Sequence, residues 1–135
     1  MFRKYLFLVV IIVLILSITS CQDSSEEKSE DKEETKISQL VGNWTRTDAG
    51  YKISISKIND DNTLIARYFN PQPINVGKAI WEESYGNIKL IIELRDVNYP
   101  GSTYTVNYLP DRDMLAGEYY QAVEDLTFYV EFTRK

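Results

Sequence analysis

Residues 126–133 read LTFYVEFT, with an apolar side chain at every second position. The same alternation runs through residues 88–95, IKLIIELR, and residues 51–56, YKISIS. Because successive side chains of a β-strand point to opposite faces, this pattern is typical of strands with one buried face. Seven clusters rich in Asn, Asp, Gly and Pro punctuate residues 48–125. Seven turns between strands predict eight strands.

The connections between these strands are short, and this limits the topology. After residue 38 no segment shows the 3.6-residue period of a helix, and no loop is long enough for the crossover that parallel strands need. Closing an antiparallel sheet into a barrel removes its open edges and buries one apolar face. We therefore predict an all-β fold, an eight-stranded antiparallel up-and-down meander barrel over residues 39–135, with a two-sheet sandwich as the alternative.

The first 20 residues have the character of an export signal. Arg3 and Lys4 precede an unbroken apolar run over residues 6–16, which is shorter than the roughly 20 residues that cross a bilayer as a helix. A basic start, a short apolar helix and small residues before a cleavage site predict a secretory signal peptide at residues 1–20.

The end of this signal, Ile18-Thr19-Ser20-Cys21, resembles the lipobox of bacterial lipoproteins. The resemblance implies diacylglyceryl attachment to Cys21, cleavage before it, and acylation, typically by palmitate, of the new amino terminus. Several acyl chains make a durable membrane anchor. Gln22 is not the aspartate that retains some lipoproteins at the inner membrane, which favours an outer membrane where the cell has two. An ordinary signal peptide with an incidental cysteine is the alternative interpretation.

Residues 22–38 are predicted to be a flexible tether, since they contain one aliphatic residue, Ile37, among many acids and lysines. A helix is the rival interpretation because Ser24 and Glu27 have capping-box spacing, but like charges four residues apart oppose it. An acidic stretch after the lipidated cysteine also resembles surface-export signals, so display at the cell surface is an alternative destination. The predicted organisation is signal peptide 1–20, lipidated cysteine and tether 21–38, and barrel 39–135.

The composition of the 135-residue chain excludes several classes of function. It has no histidine, one cysteine and a net charge of −5. Lacking histidine, it lacks the commonest acid-base group and metal ligand, and the acidic balance disfavours nucleic acid. Acidic turns such as Asp60-Asp61-Asn62 lack the spacing of a calcium loop. We predict no metal, no cofactor and no nucleic-acid partner.

Gly42-Asn43-Trp44 resembles the Gly-x-Trp that opens the first strand of calycin barrels, which include lipocalins, fatty-acid-binding proteins and avidins. Arg134 ends the last predicted strand, where such barrels often place a basic residue over the tryptophan. The resemblance implies that Gly42, Trp44 and Arg134 close the barrel. Residues 50–55 and 61–70 are similar to the second and third strands of an avidin-type barrel.

The avidin-type resemblance implies a ligand cavity at Arg46, Tyr68 and Asn70. This chain departs from the avidin pattern where it has Val130 in place of an aspartate, and the ligand-walling tryptophans of later strands are missing. Biotin is therefore not the expected ligand.

Strand parity predicts an inner face rich in phenols. If Trp44 points inward, Arg46 does too, where it would bind a carboxylate or phosphate; the alternative is an arginine near an open end that reaches water or an acid. The inward tyrosines would line an amphipathic cavity or simply fill the barrel with hydroxyls at its rims. These tyrosines are Tyr51, Tyr68, Tyr104, Tyr108 and Tyr119. The loops holding Asp48, Pro71 and Pro100 should share one barrel end and frame an entrance.

Two hypotheses for function remain. The first is a lipid-anchored, non-enzymatic envelope protein whose barrel binds a small amphipathic ligand. The second is a protein-binding module, such as an inhibitor, that acts through loops or an outer apolar patch. That patch would comprise Ile65, Phe69, Ile91, Tyr120 and Tyr129. An enzyme ranks third, because no catalytic motif or converging carboxylate pair occurs.

Overall fold

The computed structural model describes residues 36–134. The predictions for the signal peptide, for Cys21 and for the tether as far as residue 35 lie outside these residues. Residues 36–38 are helical, and Ile37 packs against the core, so the packed domain includes part of the segment predicted as tether. Within residues 36–134, no helix is both long and apolar enough to cross a membrane.

The described chain is almost entirely strand, as the alternating sequence pattern predicts. The strands are β1 Gly42–Arg46, β2 Lys52–Ile58, β3 Leu64–Asn70, β4 Gln72–Ile74, β5 Val76–Ser84, β6 Asn87–Asp96, β7 Tyr99–Leu109, β8 Met114–Gln121 and β9 Leu126–Arg134. A short 3-10 helix, Pro110–Arg112, joins β7 to β8.

All nine strands form one antiparallel sheet in the order β4-β3-β2-β1-β9-β8-β7-β6-β5. The first and last strands pair, with Trp44 opposite Arg134 and Arg46 opposite Phe132. The sheet curls until β3 approaches β5, where Thr63 and Ile80 form an isolated bridge. The predicted all-β antiparallel barrel is confirmed, as a nearly closed barrel rather than a two-sheet sandwich.

The ninth strand, β4, arises where the sequence predicts only a turn. The chain reverses at Pro71, and Gln72 pairs with Asn70 while Pro73 pairs with Phe69. A proline is tolerated there because β4 is an edge strand, where a missing ladder donor costs little. Beyond Asn75 the chain leaves β3 and continues as β5 against β6.

The barrel interior is filled by large side chains. Trp44, Tyr104 and Phe132 are fully buried together with aliphatic residues of β2, β6, β7 and β8. The Trp44 indole donates a hydrogen bond to the Leu40 carbonyl at 2.9 Å. The indole N–H therefore keeps a hydrogen-bond partner when the ring is buried, which avoids the cost of an unpaired polar group. The same bond anchors the segment before β1 to the core.

Arg134 covers the end of the barrel where β1 begins. Its guanidinium carbon lies 4.2 Å from the centre of the Trp44 ring, and its Nη1 donates to the Val41 carbonyl at 2.8 Å. It also binds the Asp113 carboxylate, with Nε to Oδ2 at 2.8 Å. Gly42 has φ +147° and its Cα lies so near Arg134 that a Cβ would clash with the guanidinium. These contacts bring Gly42, Trp44 and Arg134 together at what we call the closed end.

Candidate functional site

Four connections meet at the opposite end of the barrel, which we call the mouth. They are residues 47–51, Pro71, residues 97–98 and residues 122–125. A cleft of about 320 Å³ opens there. This cleft, the mouth pocket, is lined by Arg46, Tyr51, Tyr68, Asn70, Asn98, Tyr99, Tyr119, Gln121 and Phe128.

Arg46 is the cation of the mouth pocket. It is the last residue of β1, and its side chain is only 10% exposed, while that of Asp48 is 56% exposed. Its fork binds the Asp48 carboxylate through two bonds, Nε to Oδ1 at 2.6 Å and Nη2 to Oδ2 at 2.9 Å. The guanidinium carbon also lies 5.3 Å from the Tyr51 ring centre and 5.8 Å from that of Tyr119. Both separations suit cation-π attraction.

The contact between Arg46 and Asp48 keeps both side chains charged. Burial by itself would lower the pKa of Arg46, but hydrogen bonds with Asp48 and Tyr104 outweigh it and raise the pKa. The hydrogen bond from Arg46 lowers the pKa of Asp48 below its ordinary value. Near neutral pH the mouth pocket therefore contains a full positive charge balanced by a more exposed carboxylate.

A layer of tyrosines forms the floor of the pocket. The Tyr68 and Tyr104 hydroxyls lie 2.9 Å apart in a buried hydrogen bond. Tyr104 stacks on Tyr119 with ring centres 4.4 Å apart and meets Phe132 edge-on at 5.4 Å. Tyr68 in turn contacts Tyr99 at 6.3 Å, ring centre to ring centre. Such linked rings hold one another in place, so the floor is preorganised.

These phenols are neutral at ordinary pH. Burial raises the pKa of Tyr68 well above its usual range and that of Tyr104 to about 12. Burial also raises the pKa of Tyr119. A neutral phenol donates and accepts hydrogen bonds, so these tyrosines supply polar contacts rather than charge.

Polar side chains and one aromatic residue form the rim. The Asn70 amide donates a hydrogen bond to the Tyr99 hydroxyl. Gln121 and Asn98 add further amides, and Phe128, 41% exposed, presents its ring at the opening. The pocket thus combines ring faces, amides, phenols and one cation, which is the mixture that orients an amphipathic molecule.

The structure brings together most of the residues singled out by sequence. Arg46, Tyr51, Tyr68, Asn70 and Tyr119 all line the mouth pocket, and Tyr104 lies directly behind Tyr68 and Tyr119. The connections that contain Asp48 and Pro71, and the one just before Pro100, share the mouth, as counting alternate strand connections indicates.

Tyr108 lies elsewhere, at the closed end. Its hydroxyl donates to Gln39 at 3.0 Å, and its ring meets Trp44 edge-on at 5.9 Å. Tyr108 lies four residues after Tyr104, which places it roughly 13 Å further along β7. Parity places both rings on the inner face but does not give their position along the barrel. Tyr108 packs against Trp44 at the closed end and does not line the mouth pocket.

Among the pocket residues, the sequence predictions include Asn98 and Tyr99 only as part of the entrance loop that holds Pro100, and they omit Gln121 and Phe128. Tyr99 falls in a predicted turn cluster but is the first residue of β7. Phe128 shares the parity of the buried residues Val130 and Phe132, and that signal was present in the sequence. Gln121 carries no pattern that marks a pocket.

The residues of the proposed outer patch do not gather into one surface. Ile65 and Phe69 lie on β3, while Tyr120 and Tyr129 lie on β8 and β9, with β2 and β1 between the two groups. Ile91, on β6, is separated from β8 by β7. Tyr120 and Tyr129 alone are neighbours, diagonally across β8 and β9, with 39% and 68% exposure.

A separate groove in the barrel wall has a volume of about 470 Å³. It lies between β3 and β5, and its lining includes the small residues Ala66, Gly77 and Ala79. Its lining is mainly aliphatic, and Thr63 and Ile80 bridge the two strands at one end.

The described residues contain no cluster of three or more acidic or cysteine side chains that would suit a metal ion. Comparison of the chain with protein-family models, with curated proteins and with solved structures found no match. The case for function therefore depends on the geometry of the mouth pocket and on the sequence signals before residue 36.

Proposed function

We propose that this chain is a lipid-anchored, non-enzymatic protein of the bacterial cell envelope whose barrel binds a small amphipathic ligand in the mouth pocket. The observation that carries the proposal is the convergence of a buried, charged Arg46 and a layer of neutral phenols on one open cleft.

The pocket has the size and chemistry of a ligand site. Its volume of about 320 Å³ lies at the small end of the range for small-molecule sites. Tyr51, Tyr119 and Phe128 offer ring faces to an apolar body. Asn70 and Arg46 offer polar contacts to a head group. A preorganised floor favours binding because little side-chain freedom is lost when the ligand enters.

Binding is favoured over catalysis by the state of the polar groups. The carboxylate nearest the pocket, Asp48, is held by Arg46 with a lowered pKa, so it is a poor proton acceptor. Burial raises the pKa of the Tyr104 and Tyr119 phenols, so both remain neutral. An acid-base catalyst works best with a pKa near the working pH, which neither group has.

The location follows from the sequence. The export signal and the lipobox-like Ile18-Thr19-Ser20-Cys21 support attachment to a membrane, with an outer membrane favoured where the cell has two. Residue 36 enters the barrel near Gln39 and Val41, which belong to the closed end. The mouth is therefore at the end of the barrel remote from the point where the tether joins.

Native mass spectrometry of the full-length chain, extracted in detergent from the cells that make it, tests the proposal. We expect a bound small molecule on the wild type and on Tyr129→Ala, and loss of that mass on Phe128→Ala. The two positions are adjacent on β9, but Phe128 borders the pocket while Tyr129 points outward. Equal retention by both variants, or wild-type protein with no added mass, would contradict ligand binding in the mouth.

A protein-binding role is the second candidate, favoured by the exposed Tyr120 and Tyr129 pair. Their hydroxyls are held by Asp125 and Glu131, at 3.0 Å and 3.1 Å, so the rings are presented in fixed orientations. Under this alternative, Tyr129→Ala abolishes capture of the partner in a pull-down from envelope extracts, and Phe128→Ala leaves it intact.

A further inference from the structure

The ion pair in the mouth pocket is unequal in burial. The Arg46 side chain is nine-tenths buried, and its guanidinium carbon lies 5.3 Å and 5.8 Å from the centres of the Tyr51 and Tyr119 rings. Asp48 is more than half exposed and lies in the turn after β1. A buried cation without an anion is costly, whereas an exposed carboxylate that rotates into water regains its hydration. Asp48 is thus the exchangeable partner.

We propose that Asp48 is a built-in competitor and that the ligand of the mouth pocket is a ring-bearing carboxylate that takes its place on Arg46. This inference rests on the proposed function, since it names the ligand class of the same pocket. The contact with Asp48 itself demonstrates the chemistry, because both of its oxygens sit on the Arg46 fork at 2.6 Å and 2.9 Å. A ligand carboxylate in that position would reproduce the same bidentate geometry.

The backbone on both sides of Asp48 allows the exchange without unfolding. The Thr47 amide donates to the Glu131 carbonyl at 2.9 Å, and the Arg46 amide donates to the Tyr51 carbonyl at 2.9 Å. These bonds fix the ends of the turn. Gly50, between them, has no neighbouring atom within 4 Å of a Cβ position, so the turn borders open space. A rotation of the Asp48 side chain is sufficient.

The surroundings of Arg46 define the rest of the ligand. Tyr51 and Tyr119 flank the guanidinium, and Phe128 stands at the opening, so a planar ring attached to the carboxylate has aromatic faces to contact. A ligand ammonium group is disfavoured because it would lie close to the positive Arg46 guanidinium, which is already near both tyrosine rings. When a ligand carboxylate takes the place of Asp48, the net charge beside Arg46 stays the same. A neutral or cationic ligand in that place would leave the positive charge of Arg46 without a partner.

The experiment uses benzoate and its neutral analogue benzamide as probes of the full-length protein in detergent micelles. Ring resonances of isotope-labelled tyrosines report binding at the mouth. The variant is Asp48→Asn, which removes the competing charge at nearly constant shape. The matched control is Asp111→Asn, an exposed aspartate in the 3-10 helix that joins β7 to β8. Both variants change the net charge equally.

We expect Asp48→Asn to tighten benzoate binding about fivefold, the ratio expected for release of an ion pair whose carboxylate is exposed. Asp111→Asn should change it less than about twofold, and benzamide should bind both variants alike. One outcome would overturn the exchange alone: both probes bind, and the Asp48→Asn and Asp111→Asn variants have the same affinity for benzoate. In that case the mouth pocket binds ligands but Asp48 does not compete with them. If neither probe shifts the mouth tyrosines in any variant, both the exchange and the proposed ligand site are wrong.

Discussion

Gly117 lies in the middle of β8, directly between Val106 of β7 and Val130 of β9. A Cβ on Gly117 would lie 2.8 Å from the Val106 Cα and closer still to the Thr105 carbonyl oxygen, where ordinary contact begins at 3.4 Å. Because both neighbours are backbone atoms, β7 and β8 must separate. Overpacking costs about 1–3 kcal/mol, and two weakened ladder bonds add roughly 1 kcal/mol each. Alanine has less backbone freedom than glycine in the unfolded chain, and this difference offsets about 0.5–1 kcal/mol of that cost.

Gly117→Ala is therefore expected to lower the free energy of unfolding by about 2–4.5 kcal/mol, which is roughly 10–20 °C in Tm for a domain of this size. Urea denaturation followed by far-ultraviolet circular dichroism measures the change. Gly50→Ala is the control, since no atom lies within 4 Å of its Cβ position, and it should shift stability by less than about 0.5 kcal/mol. Equal stability of the two variants would refute the close β7–β8 approach and the register that places Gly117 opposite Val106.

Three further outcomes are expected. Cys21→Ser should abolish labelling by palmitate and move the chain from the membrane fraction to the soluble fraction; a variant that stays in the membrane would contradict lipidation. Trp44→Phe should cost about 1–3 kcal/mol in urea denaturation, because the buried Leu40 carbonyl loses its donor. Burial raises the pKa of Tyr104 from 10.0 to about 12, so the stability from its neutral phenol is full below pH 10 and is lost as the pH rises through 12. Thermal melts between pH 9 and pH 12 should therefore fall less steeply for Tyr104→Phe than for wild type.

The alternating segments made the fold predictable. Residues 88–95 and the second half of residues 126–133 are buried at every second position, so the strand type and the inner face follow from local sequence there. Leu126 and Phe128 share the parity of the buried residues of β9 but are exposed. The strand β4 escaped prediction for a physical reason. Its three residues contain Pro73, and a strand so short depends on the neighbouring edge of β3 more than on its own composition.

The pocket was predictable in part. Arg46, Tyr51, Tyr68, Asn70 and Tyr119 were found by parity and by resemblance to an avidin-type barrel, and they do meet. Phe128 shares the parity of the buried residues of β9, and Asn98 lies in the loop that holds Pro100, whereas Gln121 has no pattern of its own. Gln121 enters the pocket because β8 ends there, and Asn98 because the β6–β7 turn folds over it.

What the sequence determined by itself is local. Residue alternation set the strands and their inner faces, turn residues set the connections, and the segment ending in Cys21 set the predicted export and anchoring. What only the tertiary structure decided is depth and pairing across the barrel. Parity has a period of two residues and therefore separates inside from outside, but it does not measure position along the barrel axis. That position depends on the register of all the strands together, which put Tyr104 behind the mouth and Tyr108 at the closed end. It also brought the Tyr119 ring of β8 to 5.8 Å from the guanidinium carbon of Arg46 on β1.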